Sequence, residues 1–156
     1  MKKLLLIRHA KATHDNGYKD FERPLKKSGI ADAELMASRL KAQDLIPQII
    51  ISSPALRAKT TANIFSEHLS LPEPHINKAI YEASNKDLFD IINGLPHKYD
   101  FIALSGHNPA IAGILYYLTG QIRDVPPCAV AVIDFEIDNW NLISEGTGNL
   151  VHYDEA

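Results

Sequence analysis

One cysteine, no long apolar run and no excess of positive charge set the first limits on this 156-residue sequence. Cys128 stands alone, which excludes an internal disulfide and a cysteine-based zinc site and indicates a reducing compartment. The apolar run at 4–7 is too short for a signal peptide, and no stretch approaches the ~20 apolar residues of a membrane span. The net charge of −3 attracts neither nucleic acid nor acidic membranes. We therefore expect a cytoplasmic protein in which any anion site is built locally.

The composition is that of an ordinary globular chain, with 46% hydrophobic and 22% charged residues. This length suffices for a proper core, and we expect residues 1–156 to form one domain. Three short apolar runs at 4–7, 48–52 and 101–105 are each followed by an amphipathic helical pattern. This alternation predicts an α/β fold in which a mostly parallel central sheet is flanked by helices.

The last part of the chain has a different pattern. Short strand patterns at 129–135, 140–143 and 150–153 predict antiparallel strands at one edge of the sheet, with a hairpin turn at Asp138-Asn139. For the helices, the predicted N-caps are Ser28, either Ser52 or Ser53, and either Ser84 or Asn85.

The arginines and histidines that could bind or react with a ligand follow the carboxyl ends of the three apolar runs. Arg8 and His9 follow the first run, Arg57 follows the second, and His107 follows the third directly after a glycine, Gly106. We expect that glycine to allow a tight turn or a close approach to a ligand. Because parallel strands end at one edge of a sheet, where ligands bind in open α/β folds, two arginines and two histidines converge there. Arginine matches phosphate oxygens and neutral histidine attacks electrophiles, so the sequence predicts a phosphate site at this edge.

These residues lie in three motifs that resemble those of the histidine phosphatase (phosphoglycerate mutase-like) superfamily. Leu-Ile-Arg8-His9-Ala resembles its Arg-His-Gly signature, residues 52–62 resemble Ser-Ser-Pro-x-x-Arg-x-x-x-Thr-Ala, and Ser-Gly-His107-Asn-Pro resembles its third motif. The Arg-His-Ala-Lys variant and the segment at 20–29, Asp-Phe-Glu-Arg-Pro-Leu-Lys-Lys-Ser-Gly, resemble the small SixA-type phosphohistidine phosphatases. The resemblance implies the phosphoglycerate mutase-like fold, a three-layer α/β/α sandwich.

The resemblance also implies a metal-independent phosphatase that needs no cofactor. His9 is then the nucleophile that becomes phosphorylated, and its other ring nitrogen donates to a fixed acceptor. Arg8, Arg57 and His107 surround the phosphoryl oxygens, and Arg23 contacts the substrate phosphate. We expect repulsion from the three arginines to keep the His9 imidazole neutral. None of the other histidines has the spacing of a metal site.

A proton donor for the leaving group is the remaining role. In larger members of the superfamily a glutamate protonates the leaving oxygen, and Glu82 is the candidate here because it lies in the corresponding region. A protein phosphohistidine releases an imidazole nitrogen, which is a better leaving group than an alkoxide when the ring is protonated, so we expect no dedicated acid to be needed for that substrate.

We therefore expect a phosphatase that acts on phosphohistidine in a phosphotransfer protein, such as a histidine-phosphotransfer domain. Two alternatives stay open: a phosphatase for a small phosphomonoester, and a non-catalytic protein that binds phosphate in the same pocket. The segment 69–100 leaves little room for a lid domain, which favours an open site. The sequence leaves the physiological partner and the oligomeric state open.

Overall fold

The computed structural model describes all 156 residues, in which strands and helices alternate through the first two thirds of the chain. The strands are β1 (Lys2–Arg8), β2 (Ile49–Ser52), β3 (His75–Ile76), β4 (Phe101–Gly106), β5 (Val130–Phe135) and β6 (Gly148–Asp154). The helices are α1 (Lys27–Ala42), α2 (Leu56–Leu69), α3 (Asn85–Asn93) and α4 (Ala110–Thr119). Short 3-10 turns lie at Asp20–Glu22, Lys78–Ile80 and Trp140–Leu142. None of the helices combines the length and the apolar composition that crossing a bilayer requires.

The six strands form one sheet in the order β3-β2-β4-β1-β5-β6. The first four strands of this order run parallel, while β5 and β6 are antiparallel to their neighbours. Helices α1 and α2 pack together on one face, and α3 and α4 pack together on the other. The predicted fold class, a mostly parallel sheet between two helical layers with an antiparallel carboxyl-terminal edge, is confirmed.

The apolar run in β1 is explained by its burial on both faces. Leu4 and Leu6 belong to the core cluster shared with α3 and α4, whereas Leu5 and Ile7 belong to the cluster shared with α1 and α2. A central parallel strand is buried on both sides, so it reads as a continuous apolar run rather than as an alternating pattern.

The register of the central strands brings their carboxyl ends to one edge. Arg8 of β1 pairs with Gly106 of β4, and Ser52 of β2 pairs with Ser105 of β4. The chain therefore leaves all three strands at the same level of the sheet, and the residues that follow them lie side by side.

The prediction of a strand at 140–143 was wrong. Trp140–Leu142 is a 3-10 turn, capped by the Asn139 side chain, which accepts a hydrogen bond from the Asn141 N–H. The Trp140 indole is fully buried in the core and donates from Nε1 to the Tyr99 carbonyl. Burial of this large ring fixes the turn, so the connection between β5 and β6 is much longer than the predicted hairpin.

One of the three helix caps is where the sequence placed it. Ser84 caps α3 in a reciprocal capping box with Asp87. By contrast, α2 starts after Ala55, and the Ser53 hydroxyl accepts a hydrogen bond from the Ala55 N–H instead of capping the helix itself.

The start of α1 is fixed by a tertiary contact and not by Ser28. The helix begins two residues earlier than that cap predicts, at Lys27, and its N-cap residue Lys26 donates from its N–H to the Lys11 carbonyl at 2.9 Å. A Cβ atom on Gly29 would lie 2.2 Å from the same Lys11 oxygen. Only glycine fits here, so the first turn of α1 lies directly against the segment that follows His9.

Candidate active site

Backbone hydrogen bonds fix His9 where it leaves the sheet. Its N–H donates to the Gly106 carbonyl at 3.0 Å, and its carbonyl accepts from the Cys128 N–H at 3.0 Å. The preceding residue, Arg8, donates from its N–H to the Ala129 carbonyl at 3.2 Å. The chain around His9 is therefore held from both neighbouring strands, and the side chain is 8% exposed.

The tautomer of His9 follows from its hydrogen bond to the backbone. Nδ1 lies 2.8 Å from the Ala10 carbonyl oxygen. Because a carbonyl only accepts, Nδ1 carries the proton and Nε2 keeps its lone pair. The structure thus contains the fixed acceptor that we expected for a nucleophilic histidine.

Thr61 ties this segment to α2. The Ala10 N–H donates to Thr61 Oγ1 at 3.0 Å, and the Thr61 hydroxyl donates to the Arg57 carbonyl at 2.7 Å. Thr61 is fully buried and is the threonine of the second motif. Its two hydrogen bonds set the position of His9 relative to Arg57.

The pKa of His9 is lowered to about 3. Burial of the imidazole is the largest cause, the hydrogen bond to Ala10 opposes it, and repulsion from His107, Arg57 and Arg8 adds to it. The expectation from the sequence named repulsion by the arginines as the cause, whereas burial contributes more. The ring is neutral at pH 7, as a nucleophile must be.

A cavity of about 250 Å³ opens beside His9, and its lining is strongly cationic. Three arginines, two lysines and three histidines contribute to it, together with Ala12, Asn108 and Pro127. The charged or titratable lining residues are Arg8, Arg23, Arg57, Lys11, Lys26, His9, His14 and His107. Five residues predicted from the sequence therefore lie around one cavity, and its lining contains no carboxylate.

Three buried nitrogens of lining residues have no hydrogen-bond partner within the protein. They are Nε of Arg8, Nε of Arg57 and Nδ1 of His107. Buried polar groups in folded proteins are nearly always paired, so these three nitrogens are candidate partners for an anion bound beside them. A phosphoryl group offers several oxygens to such donors.

His107 is held next to His9. Its Nε2 lies 2.8 Å from Ser53 Oγ, and its ring centroid is 5.3 Å from that of His9. Burial, followed by repulsion from Arg57, lowers the pKa of His107 to about 4. A Cβ atom on the preceding Gly106 would lie 3.1 Å from Ile80 Cγ2, so this glycine is closely packed against a core side chain.

Glu82, the candidate proton donor, is outside this set of lining residues. It is exposed, it follows Tyr81 with a positive φ of 58°, and it does not line the cavity. The candidate proton donor is therefore not among the residues that line the cavity with His9.

Comparison with known proteins assigns the chain to a family. The sequence model of the histidine phosphatase superfamily (branch 1) matches residues 4–91, which is more than half of the 156 residues. The chain belongs to the histidine phosphatase superfamily. The matched range includes Arg8, His9, Arg23 and Arg57, whereas the place of His107 in the site rests on the geometry above.

Two relatives of this superfamily member cover most of its sequence. A chloroplastic protein of Arabidopsis thaliana, described as uncharacterized, is 41% identical over 150 residues, which are 89% of this chain and 69% of the plant protein. An uncharacterized protein of Mycobacterium tuberculosis is 28% identical over 159 residues, covering 94% of this chain and 98% of its own.

Solved structures share the fold over nearly the whole chain. The SixA structure from Agrobacterium tumefaciens has a TM-score of 0.84 at 24% identity and covers 99% of this chain and 98% of its own. The protein histidine phosphatase SixA complexed with tungstate has a TM-score of 0.83 at 21% identity, with coverage of 97% and 95%. A mycobacterial glucosyl-3-phosphoglycerate phosphatase in complex with VO3 has a TM-score of 0.69 at 14% identity, with full coverage of both chains. These likenesses confirm the expected SixA-like fold.

Two residues beside the site were not singled out from the sequence of this superfamily member. Asp20 contacts the guanidinium groups of both Arg57 and Arg23, and the Tyr81 hydroxyl donates to the Asp20 carboxylate at 2.7 Å. The available signal was the position of Asp20 in the segment at 20–29, which carried the resemblance but suggested no role.

The lowered pKa values of His9 and His107 make the stability of the fold depend on pH. Both rings are neutral in the folded chain, whereas in the unfolded chain they gain a proton as the pH falls through 6.5. Stability is therefore lost as the pH falls from 6.5 toward the folded values. For His9 alone we expect a loss of about 2 kcal/mol in the free energy of unfolding between pH 7 and pH 5.

Urea denaturation at pH 7 and pH 5 tests this expectation, with His9→Gln as the comparison. The variant lacks the titrating ring, so its free energy of unfolding changes less between the two pH values than that of the wild type. An equal change in both proteins contradicts the assignment of a buried neutral His9.

Proposed function

We propose that this superfamily member hydrolyses phosphohistidine on a phosphotransfer protein through a phosphorylated His9. One observation carries the proposal: a neutral histidine with an unengaged Nε2 lines a cavity where three buried nitrogens have no partner in the protein. This arrangement supplies both a nucleophile and a set of donors for the oxygens of a phosphoryl group.

In the first step, Nε2 of His9 attacks phosphorus and forms a new P–N bond. The substrate imidazole, protonated from water on its other ring nitrogen, leaves as a neutral ring: its P–N bond breaks and the leaving nitrogen keeps the electron pair. Arg8, Arg57 and His107 donate hydrogen bonds to the phosphoryl oxygens and stabilise the charge on them. The hydrogen bond from Nδ1 to the Ala10 carbonyl stabilises the positive charge that develops on the His9 ring.

In the second step, water attacks phosphorus of the phosphorylated His9. The P–N bond breaks, the electron pair returns to Nε2, and the proton of the attacking water passes to solvent or to the released phosphate. The same donors hold the phosphoryl oxygens in both steps, so the enzyme returns to its starting state.

The lining of the cavity supports phosphohistidine over an ester. Transfer from one imidazole nitrogen to another exchanges two similar bonds, whereas an alkoxide leaves only with a positioned acid. The cavity lining has no carboxylate, and Glu82 is exposed outside it. Between β3 and β4 the chain forms only a 3-10 turn and α3, so no lid domain hinders a protein substrate. A structural relative named as a protein histidine phosphatase was solved with tungstate, an oxyanion, which agrees with this substrate class.

A small phosphomonoester is the second candidate. Lys11, Lys26 and His14 also line the cavity, and cationic side chains beyond the phosphoryl donors suit a second anionic group on a small substrate. The glucosyl-3-phosphoglycerate phosphatase that shares the fold acts on such a molecule, according to its name.

Phosphate release from two donors, measured side by side in the presence of EDTA, tests the proposal. The donors are a histidine-phosphotransfer domain phosphorylated on histidine and glycerol 2-phosphate, an alkyl ester whose leaving oxygen must be protonated. We expect kcat/KM for the phosphoprotein to exceed that for the ester by at least about 100-fold, because no carboxylic acid lines the cavity to protonate an alkoxide. Turnover of the ester alone supports the second candidate, and binding of phosphate without turnover of either donor supports a non-catalytic protein.

Glu82→Gln is the informative variant in the same assay. If Glu82 takes no part in proton transfer, turnover of both donors stays within about two-fold of the wild type. A selective loss of ester turnover in the variant restores Glu82 as the proton donor.

A further inference from the structure

We propose that Asp20 is a positioning residue that orients the two guanidinium groups of Arg57 and Arg23 toward the transferred phosphoryl group. The proposal rests on the proposed function, because it assumes that these arginines bind the phosphoryl oxygens. Asp20 itself does not line the cavity, so it acts through the arginines and not on the substrate.

Four hydrogen bonds from side chains converge on Asp20. Arg57 donates from one terminal nitrogen to the Asp20 backbone carbonyl at 2.6 Å and from the other to the carboxylate oxygen Oδ2 at 3.1 Å. Arg23 donates from Nε to Oδ1 at 3.2 Å, and the Tyr81 hydroxyl donates to Oδ2 at 2.7 Å. Both carboxylate oxygens are therefore engaged, and one residue contacts two arginines of the site.

The contacts on Arg57 leave one edge of its guanidinium group free. Its two terminal nitrogens each donate to Asp20, while the buried Nε has no partner in the protein. A guanidinium group is planar, so when both of its terminal nitrogens are held by hydrogen bonds, the direction of its Nε–H bond is fixed as well. Since Arg57 lines the cavity, Asp20 decides where the Nε–H of this side chain points.

Arg23 is fixed in a similar way. Its Nε donates to Asp20, and one terminal nitrogen donates to the Thr13 carbonyl at 2.9 Å and lies 3.5 Å from His14 Nδ1. The other terminal nitrogen has no hydrogen-bond partner in the protein. These contacts hold the guanidinium group and leave the second terminal nitrogen available to an anion in the cavity that Arg23 lines.

The turn that carries Asp20 is anchored to the site by aromatic contacts. The Phe21 ring packs edge-on against Tyr81 at a centroid distance of 5.2 Å, and Tyr81 packs against His107 at 5.8 Å. Tyr81 thus touches the Asp20 carboxylate through its hydroxyl and His107 through its ring. This arrangement places the 3-10 turn at a fixed position relative to the phosphate donors.

Stability alone does not explain these contacts. The Asp20 side chain is 56% exposed, and ion pairs at exposed carboxylates contribute little to the free energy of unfolding. Hydrogen bonds from Tyr81 and then Arg57 hold the pKa of Asp20 at about 2, so the group stays charged at neutral pH. We therefore expect Asp20→Asn to fold, while the two arginines lose their fixed orientation.

The sign of the effect on anion binding separates positioning from simple charge. Removing one negative charge makes the site more positive, so Coulomb attraction alone predicts tighter binding of an oxyanion. Loss of orientation predicts weaker binding, because the N–H groups of Arg57 and Arg23 are no longer oriented toward the anion before it binds. The two explanations therefore give opposite results for the same variant.

The experiment measures tungstate binding by calorimetry and turnover of p-nitrophenyl phosphate for the wild type, Asp20→Asn and Glu22→Gln. Glu22 is the matched control, because it is an exposed carboxylate in the same 3-10 turn and does not line the cavity. We expect Asp20→Asn to bind tungstate about 10-fold more weakly and to lose at least about 10-fold in kcat/KM. Glu22→Gln should stay within about two-fold of the wild type in both.

Equal or tighter tungstate binding by Asp20→Asn overturns the proposal, whatever happens to turnover. If that variant does not fold, Tyr81→Phe decides instead: it removes only the hydroxyl contact to Asp20, and we expect tungstate binding to weaken by about three-fold. Unchanged binding in that variant then overturns the proposal. A wild-type protein that turns over neither phosphate donor refutes the proposed function, whereas the tungstate comparison still tests Asp20.

Discussion

Replacing His9 with glutamine is expected to lower kcat for every phosphate donor by at least about 1,000-fold. Glutamine is neutral, as the His9 ring is at pH 7, and its amide can also donate to the Ala10 carbonyl. The charge and the local hydrogen bond are therefore conserved, while the nucleophilic nitrogen is lost. The loss of turnover then reports the covalent step itself.

Steady-state turnover together with tungstate binding checks this result. Because Arg8, Arg57 and His107 remain in His9→Gln, tungstate should still bind within about five-fold of the wild type. His68→Gln is a matched control: His68 also places Nδ1 against a backbone carbonyl, that of Ile64 at 3.0 Å, but it lies outside the cavity lining. More than a tenth of wild-type turnover in His9→Gln contradicts the assignment of the nucleophile.

Replacing Arg57 with lysine is expected to have the second largest effect, a loss of about 100-fold or more in kcat/KM. Lysine conserves the charge, but it cannot donate to two positions of Asp20 and also present an Nε–H to the cavity. Arg57 is 6% exposed, so water does not replace the missing donor readily. The planar group, and not the charge alone, is what the site requires.

The same assay with Arg39→Lys controls for a general effect of exchanging arginine. Arg39 lies on α1 and donates to the Asp154 carboxylate and the Glu155 carbonyl, away from the cavity lining. We expect its kcat/KM within about two-fold of the wild type. Turnover by Arg57→Lys near the wild-type level contradicts a role for the guanidinium group in holding the phosphoryl oxygens.

The parts of the site that were predictable from the sequence are those fixed by strand topology. The apolar run of β1 indicates burial on both faces, and three such strands placed in parallel bring Arg8, His9, Arg57 and His107 to one edge. The presence of a hydrogen-bond acceptor next to His9 was also predictable, because a neutral imidazole that attacks through one ring nitrogen carries a proton on the other, and that N–H needs an acceptor.

The parts that escaped prediction depend on contacts between distant segments. Asp20 contacts Arg57, which is 37 positions away in the sequence, and Tyr81, which is 61 positions away. No local sequence pattern predicts contacts over such separations. The start of α1 is set by the close approach of Gly29 to Lys11, and the turn at Trp140 is set by burial of its indole. In each case a tertiary contact outweighs the local preference on which the prediction relied.

A rapid-quench experiment with a phosphohistidine donor tests the central claim most directly. The protein is mixed with excess phosphorylated histidine-phosphotransfer domain, quenched in alkali within milliseconds to seconds, and mapped by mass spectrometry. We predict a phosphoryl group on His9 that forms before free phosphate is released and that is absent in His9→Gln. Release of phosphate without any phosphorylated His9, or a phosphoryl group that accumulates on another residue such as His107, contradicts it.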